Sequence, residues 1–118
     1  MGKVIYFETY LAGTNHGDCQ LSIKEFAEVG DEITLFHDIE NKYDPCAVAV
    51  FCHKYLKAIK QDSWANFGWI PSHMNHQIAD DLQKGIEVKA VVIEKRKPDG
   101  EFNFWNLRIQ VYKNGPPD

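Results

Sequence analysis

Three features of the chain predict a mainly β (α+β) fold, a small six-stranded barrel carrying one principal helix. Hydrophobic and polar residues alternate over several short stretches, and turn formers such as Asn41 to Pro45 and Pro98-Asp99-Gly100 separate them. Only one segment, about 72–84, shows clean helical spacing between a proline and a glycine. Short strands linked mostly by turns leave open edges unless the sheet curls on itself, which is why a barrel or strongly curled sheet is expected.

The elements follow in order. Lys3 to Ala12 is apolar and β-rich, and Gly13 ends it, so a first strand is predicted, followed by a polar loop from Thr14 to Gln20. A short helix fits 22–29, with Ile23, Phe26 and Ala27 on one face and Gly30-Asp31 as its stop. Glu32 to His37 alternates with Ile33 and Leu35 on one side, the pattern of a half-buried strand. After the Asn41 to Pro45 turn, Cys46 to Cys52 is apolar throughout, as in a strand covered on both faces. His53 to Ala65 fits either a ragged helix or a loop insertion. Phe67 to Ile70 reads as a short strand that Pro71 terminates, because proline cannot donate to a ladder. Ser72 is then the expected N-cap, with Met74, Ile78, Ala79 and Leu82 on the helix face and Gly85 as the stop. Ile86 to Lys95 alternates, Pro98-Asp99-Gly100 turns the chain, and Trp105, Leu107, Ile109 and Val111 face one way on the return strand.

A length of 118 residues suits one domain, expected over 1–113 with a disordered tail at 114–118. With 44% hydrophobic and 25% charged residues, the composition is that of a globular protein. No apolar run nears the roughly 20 residues that span a bilayer, and the Val4 to Phe7 stretch is too short for a signal peptide. Three cysteines without paired spacing suit buried thiols better than disulfides. A cytoplasmic protein with no membrane partner is the expectation. The net charge of −4 speaks against non-specific coating of nucleic acid, but not against recognition of a strand end. The basic runs Lys54/Lys57/Lys60 and Lys95/Arg96/Lys97 read first as solvated loops.

Catalytic motifs are missing. No phosphate-binding glycine loop and no Gly-x-Ser-x-Gly elbow occurs, the five histidines are scattered, and Asp80 and Asp81 point in different directions on the helix. Cys46, Cys52 and His53 lie near one another, yet six strand residues separate the two thiols by roughly 20 Å. No catalytic residue, metal or cofactor is expected.

The polar turn is a better candidate. Asn41 offers a donor and an acceptor, Asp44 can accept from a hydroxyl, and Tyr43 gives a flat face for a base. Equally, Asn41 and Asp44 can hold the turn through Asx-type hydrogen bonds while Tyr43 packs sideways.

The ordered set Ala12-Gly13, Gly30-Asp31, Asn41-x-Tyr43-Asp44-x-x-Ala47-Val48-x-Val50 and Gly68-Trp69-Ile70-Pro71 resembles the HIRAN domain family over about Tyr6 to Val111. The resemblance implies a β-barrel related to OB and SH3-like barrels. It also implies a module that grips the 3′ end of single-stranded DNA and, on helicase-like DNA translocases, helps remodel stalled forks. By that likeness Tyr43 stacks on a base, Asn41 and Asp44 address the terminal sugar hydroxyl, and Trp69 and Ser72 lie along the strand's path. DNA-end-binding members carry an arginine–aromatic pair after the first strand, where this chain has Asn15-His16. His16 can still stack, whereas Asn15 brings no charge to a phosphate. The implied role is DNA repair or fork processing beside a helicase or nuclease partner. The alternative is a protein-interaction module whose same groove accepts a peptide or enzyme subunit.

Overall fold

The computed structural model describes residues 2–56 and 60–115. Its elements are β1 (Lys3–Tyr10), α1 (Cys19–Phe26), β2 (Glu32–His37), β3 (Val48–Leu56), β4 (Gln61–Trp69), α2 (His76–Gln83), β5 (Lys89–Arg96) and β6 (Asn106–Asn114). The strands form one six-stranded antiparallel sheet in the order β1-β6-β5-β2-β3-β4. The fold is thus mainly β with two helices, and no helix among the described residues is long and apolar enough to cross a membrane.

The two edges of this sheet meet at one point. Ala12, just beyond β1, and Trp69 at the end of β4 exchange both backbone hydrogen bonds, at 2.8 and 2.9 Å. No further ladder joins the edges among the described residues, so the expected barrel is an open, curled sheet pinned at a single bridge. A bulge makes the pin possible. Val50 pairs with Gly68 but Phe51 pairs with Asn66, which leaves Phe67 as the extra residue on β4. A bulge bends and twists its strand, and here it turns Phe67 fully into the core while Gly68 and Trp69 swing toward Ala12. Gly68 has φ +147°, and a Cβ there would lie 2.8 Å from the Ala12 carbonyl oxygen. Only glycine allows that approach.

The core follows the alternation. Ile33 and Leu35 of β2, Val92 of β5, and Leu107, Ile109 and Val111 of β6 all point inward, and each helix adds one fully buried isoleucine, Ile23 or Ile78. β3 is covered on both faces from Val48 to Val50, as its apolar run requires.

Three expectations need correction. The helix expected over 72–84 is split into a 3-10 turn, Ser72–Met74, and then α2, so Ser72 is not an N-cap. Pro71 is extended at φ −55°, ψ 139°, and the chain spends one tight turn before buried Asn75 leads into the helix. The C-terminus does behave as predicted. Gly85 adopts φ +82°, its N–H donates to Leu82 O, and Ile86 N–H donates to Asp81 O, which together make a Schellman motif. The helix expected over 22–29 starts earlier, at Cys19, because Ser22 N–H already finds the Asp18 carbonyl. The tail expected from 114 is ordered in its first residues: Asn114 pairs with Lys3, and Gly115 N–H donates to Gly2 O at 2.7 Å. Residues 116–118 lie outside the described residues.

In the stretch 53–65, which fits helix or loop by sequence, 53–56 and 61–65 extend β3 and β4 as paired strands, from His53–Trp64 to Leu56–Gln61, and 57–59 lie outside the described residues. Two of its half-buried positions are polar, Lys54 with its Nζ 2.8 Å from Asp31 and Ser63 opposite it, and the third is only Ala65, so no hydrophobic alternation marks it as β.

Candidate functional site

The turn between β2 and β3 is rigid because its side chains satisfy its own backbone. Asn41 Oδ1 accepts from Tyr43 N–H and Asp44 N–H, both at 2.9 Å. Asp44 Oδ1 accepts from Cys46 N–H at 2.9 Å, and Asp44 Oδ2 accepts from Asn75 Nδ2 at 2.9 Å. Of the reading in which the turn holds itself, one half is seen and the other is not: the Asx bonds form, but Tyr43 does not pack sideways and is 98% exposed. Asn41 is spent on holding the turn, its Nδ2 reaching Asp38 at 3.4 Å.

Six of the expected residues, His16, Asn41, Tyr43, Asp44, Trp69 and Ser72, line one hollow of about 420 Å³. The seventh, Asn15, is exposed in the neighbouring loop and does not line it. His16 meets Trp69 edge to face, with centroids 6.1 Å apart. Gly13 lets the indole lie close, since a Cβ there would be 2.8 Å from Trp69 Cε3. The Ala12–Trp69 bridge thus has a second effect: it brings the β1 end, the β4 end and the β2–β3 turn around one cavity.

The electrostatics are those of a fixed anion in an otherwise neutral wall. The hydrogen bond from Asn75, then that from the Cys46 backbone, hold the Asp44 carboxyl below the ordinary aspartate range, with nearby His76 adding to the effect. Each carboxylate oxygen accepts one bond and keeps a lone pair for another donor. Among the described residues no lysine or arginine lines the hollow. The basic runs are used elsewhere. Lys95 Nζ donates to the Lys24 and Ala27 carbonyls at the end of α1, Arg96 stacks on Phe102, and Lys57 lies outside the described residues.

Asn75 is the residue of this hollow that sequence reasoning missed. It is 1% exposed, lines the hollow, orients Asp44, and its buried Oδ1 has no partner among the described residues. On the other side of the turn, Cys46 Sγ lies 3.4 Å from His76 Nδ1 in a wider hollow of about 610 Å³. Among the described residues no three His, Cys, Asp or Glu side chains gather as a metal site.

No protein-family profile matches the chain, and no curated protein matches it. Among solved structures, a protein from Lactobacillus plantarum determined by the Northeast structural genomics consortium is similar. It aligns with a TM-score of 0.66 at 18% identity, over 96% of this chain and 98% of its own. At that identity the likeness establishes the shared fold.

Proposed function

We propose that this chain is a HIRAN-like module that binds the 3′ end of single-stranded DNA and works without catalysis of its own, beside a helicase or nuclease in repair or fork processing. One observation carries the reading: a tyrosine ring exposed at 98% on a turn locked by hydrogen bonds, over a hollow with a fixed carboxylate. Folding gains nothing from exposing that ring, and base stacking on an aromatic is worth about 1–3 kcal/mol.

The polar groups favour a hydroxyl over a phosphate. Asp44 is an ionised acceptor with a lone pair left on each oxygen, so a sugar hydroxyl would satisfy it. A terminal phosphate would bring its charge against Asp44 with no lysine or arginine in the wall to offset it. Within the hollow, Tyr43 and Trp69 would take the base faces, with His16 at the rim. Asn41 would act by fixing the turn.

The test is a titration with short single-stranded DNA carrying either a free 3′-hydroxyl or a 3′-phosphate. Preference for the hydroxyl and a loss of about 1–3 kcal/mol on Tyr43→Ala are expected. Equal binding of both ends, or unchanged affinity in the variant, would sink the reading. Binding of a peptide in place of DNA, reduced by the same variant, would move the hollow to a protein partner, which the chain's net charge of −4 also suits.

A further inference from the structure

The aromatic lining does not stop at the hollow. His16 and Trp69 also line a second depression of about 310 Å³, together with Trp64, Phe51 and Asn66. Phe51 and Trp64 in turn line a third, of about 320 Å³, completed by Thr34 and Phe36. The three are joined through shared side chains into one track across the outer face of β4, β3 and β2. Its rings are open: Trp64 is 58% and Phe36 56% exposed, and Phe36 meets Phe51 edge to face at 6.5 Å. Adjacent strands lie about 4.8 Å apart, so each strand contributes a ring at short intervals. A contiguous exposed aromatic surface of this kind marks an interaction site.

We propose that this track is the binding path for the nucleotides preceding the 3′ terminus, which stack in succession on Trp69, Trp64, Phe51 and Phe36. The proposal rests on the strand-end reading above. The occupant is argued from continuity: the track begins in the wall of the terminal hollow and shares His16 and Trp69 with it. Stacking platforms accept any base, so the extended site would be indifferent to sequence. Charge sets a further property. Along the track the titratable groups are the His16 imidazole, Asp18 and the buried Cys19 thiol, with His53 packed on Trp64 at 5.0 Å and Asp62 3.7 Å from His53. Among the described residues no lysine or arginine lines the three depressions. Few phosphates are neutralised, so binding would depend far less on salt than is usual for a DNA-binding protein, with a log–log slope between 0 and about −1.

The experiment is a length series of oligothymidylates with free 3′-hydroxyls, from the dinucleotide to about eight residues, against the unsubstituted chain, Phe36→Ala, Trp64→Ala and Trp64→Phe. Affinity should rise about fivefold or more for each added stacked base until the track is filled. Phe36→Ala and Trp64→Ala should remove much of that gain and leave dinucleotide binding intact, while Trp64→Phe retains it. Both side chains are more than half exposed, so the variants should fold, and light scattering checks their mass. Dinucleotide binding with no gain from length would overturn the track and leave the strand-end reading standing. No binding at any length would overturn both. A dimer of the unsubstituted chain that Trp64→Ala dissolves would assign the aromatic face to a second copy and also overturn the proposal.

Discussion

Asn41 shows how one side chain builds a site without facing a ligand. Its single carbonyl oxygen collects two backbone N–H groups, and that arrangement sets the angle at which Tyr43 leaves the turn. Asn41→Ala would strand both donors, at about 1 kcal/mol for each lost bond. Asn41→Asp keeps an acceptor in the same place. Urea melts should show Asn41→Ala destabilised by about 1–2 kcal/mol and Asn41→Asp close to the parent. DNA affinity should fall with the turn in the first variant and persist in the second. Equal affinity in the parent and Asn41→Ala would mean that the turn's rigidity is irrelevant to binding. At this scale the sequence is legible where the chemistry is local. The run Asn41-Lys42-Tyr43-Asp44-Pro45 specifies a turn by itself. Asn75 was not legible, because its meaning comes from Asp44, 31 residues away in the chain.

Among the elements, β4 decides the architecture. The Phe67 bulge and Gly68 bend it until Trp69 reaches Ala12, and that bridge both pins the curled sheet and frames the hollow. Gly68→Ala is the test. Its Cβ would sit 2.8 Å from a backbone oxygen, at a φ that residues with a side chain rarely adopt. A loss of about 1–3 kcal/mol is expected in thermal or urea unfolding, with reduced DNA affinity as Trp69 is displaced. Unchanged stability would mean that the bridge is dispensable. The strands that alternation predicts, β2, β5 and β6, are those in which buried apolar residues alternate with more exposed ones. The β3–β4 hairpin escaped because Lys54, held by Asp31, occupies a half-buried position where the pattern asks for an apolar residue. The start of α2 was misread for a related reason: a proline followed by a serine signals an N-cap, and nothing local shows that a 3-10 turn intervenes.

At the scale of the whole molecule, α2 is fastened to the opposite edge of the sheet by one carboxylate. Asp81, nearly buried, accepts a short hydrogen bond from the Tyr6 hydroxyl and another from Gln77 Nε2 at 2.8 Å, and Lys113 Nζ lies 3.9 Å away. The Tyr6 side chain reaches it because a bulge between Ile5 and Phe7 takes Tyr6 out of the β1–β6 register. The Tyr6 hydrogen bond is the main influence holding the Asp81 carboxyl below its ordinary value of 3.8. Burial, followed by the same hydrogen bond, pushes the Tyr6 hydroxyl well above its ordinary value of 10.0. The signs follow from linkage. A depressed carboxylate stabilises the fold fully above 3.8, and that stability is lost as pH falls through the lower folded value. A raised tyrosine stabilises it fully below 10.0, and that stability is lost as pH rises toward the higher folded value. The same contact thus contributes to the stability plateau at both its acid and its alkaline limit. Tyr6→Phe should lower the urea midpoint across the plateau and move its acid limit to higher pH, because Asp81 then keeps only the Gln77 hydrogen bond and the charges of Lys113 and Lys84. It should also remove this residue's part of the alkaline fall. Urea melts in steps from pH 2 to 11 would show this. Superposable acid limbs for the parent and Tyr6→Phe would mean that Asp81 is held by other groups and that the β1 bulge is not what ties α2 to the sheet.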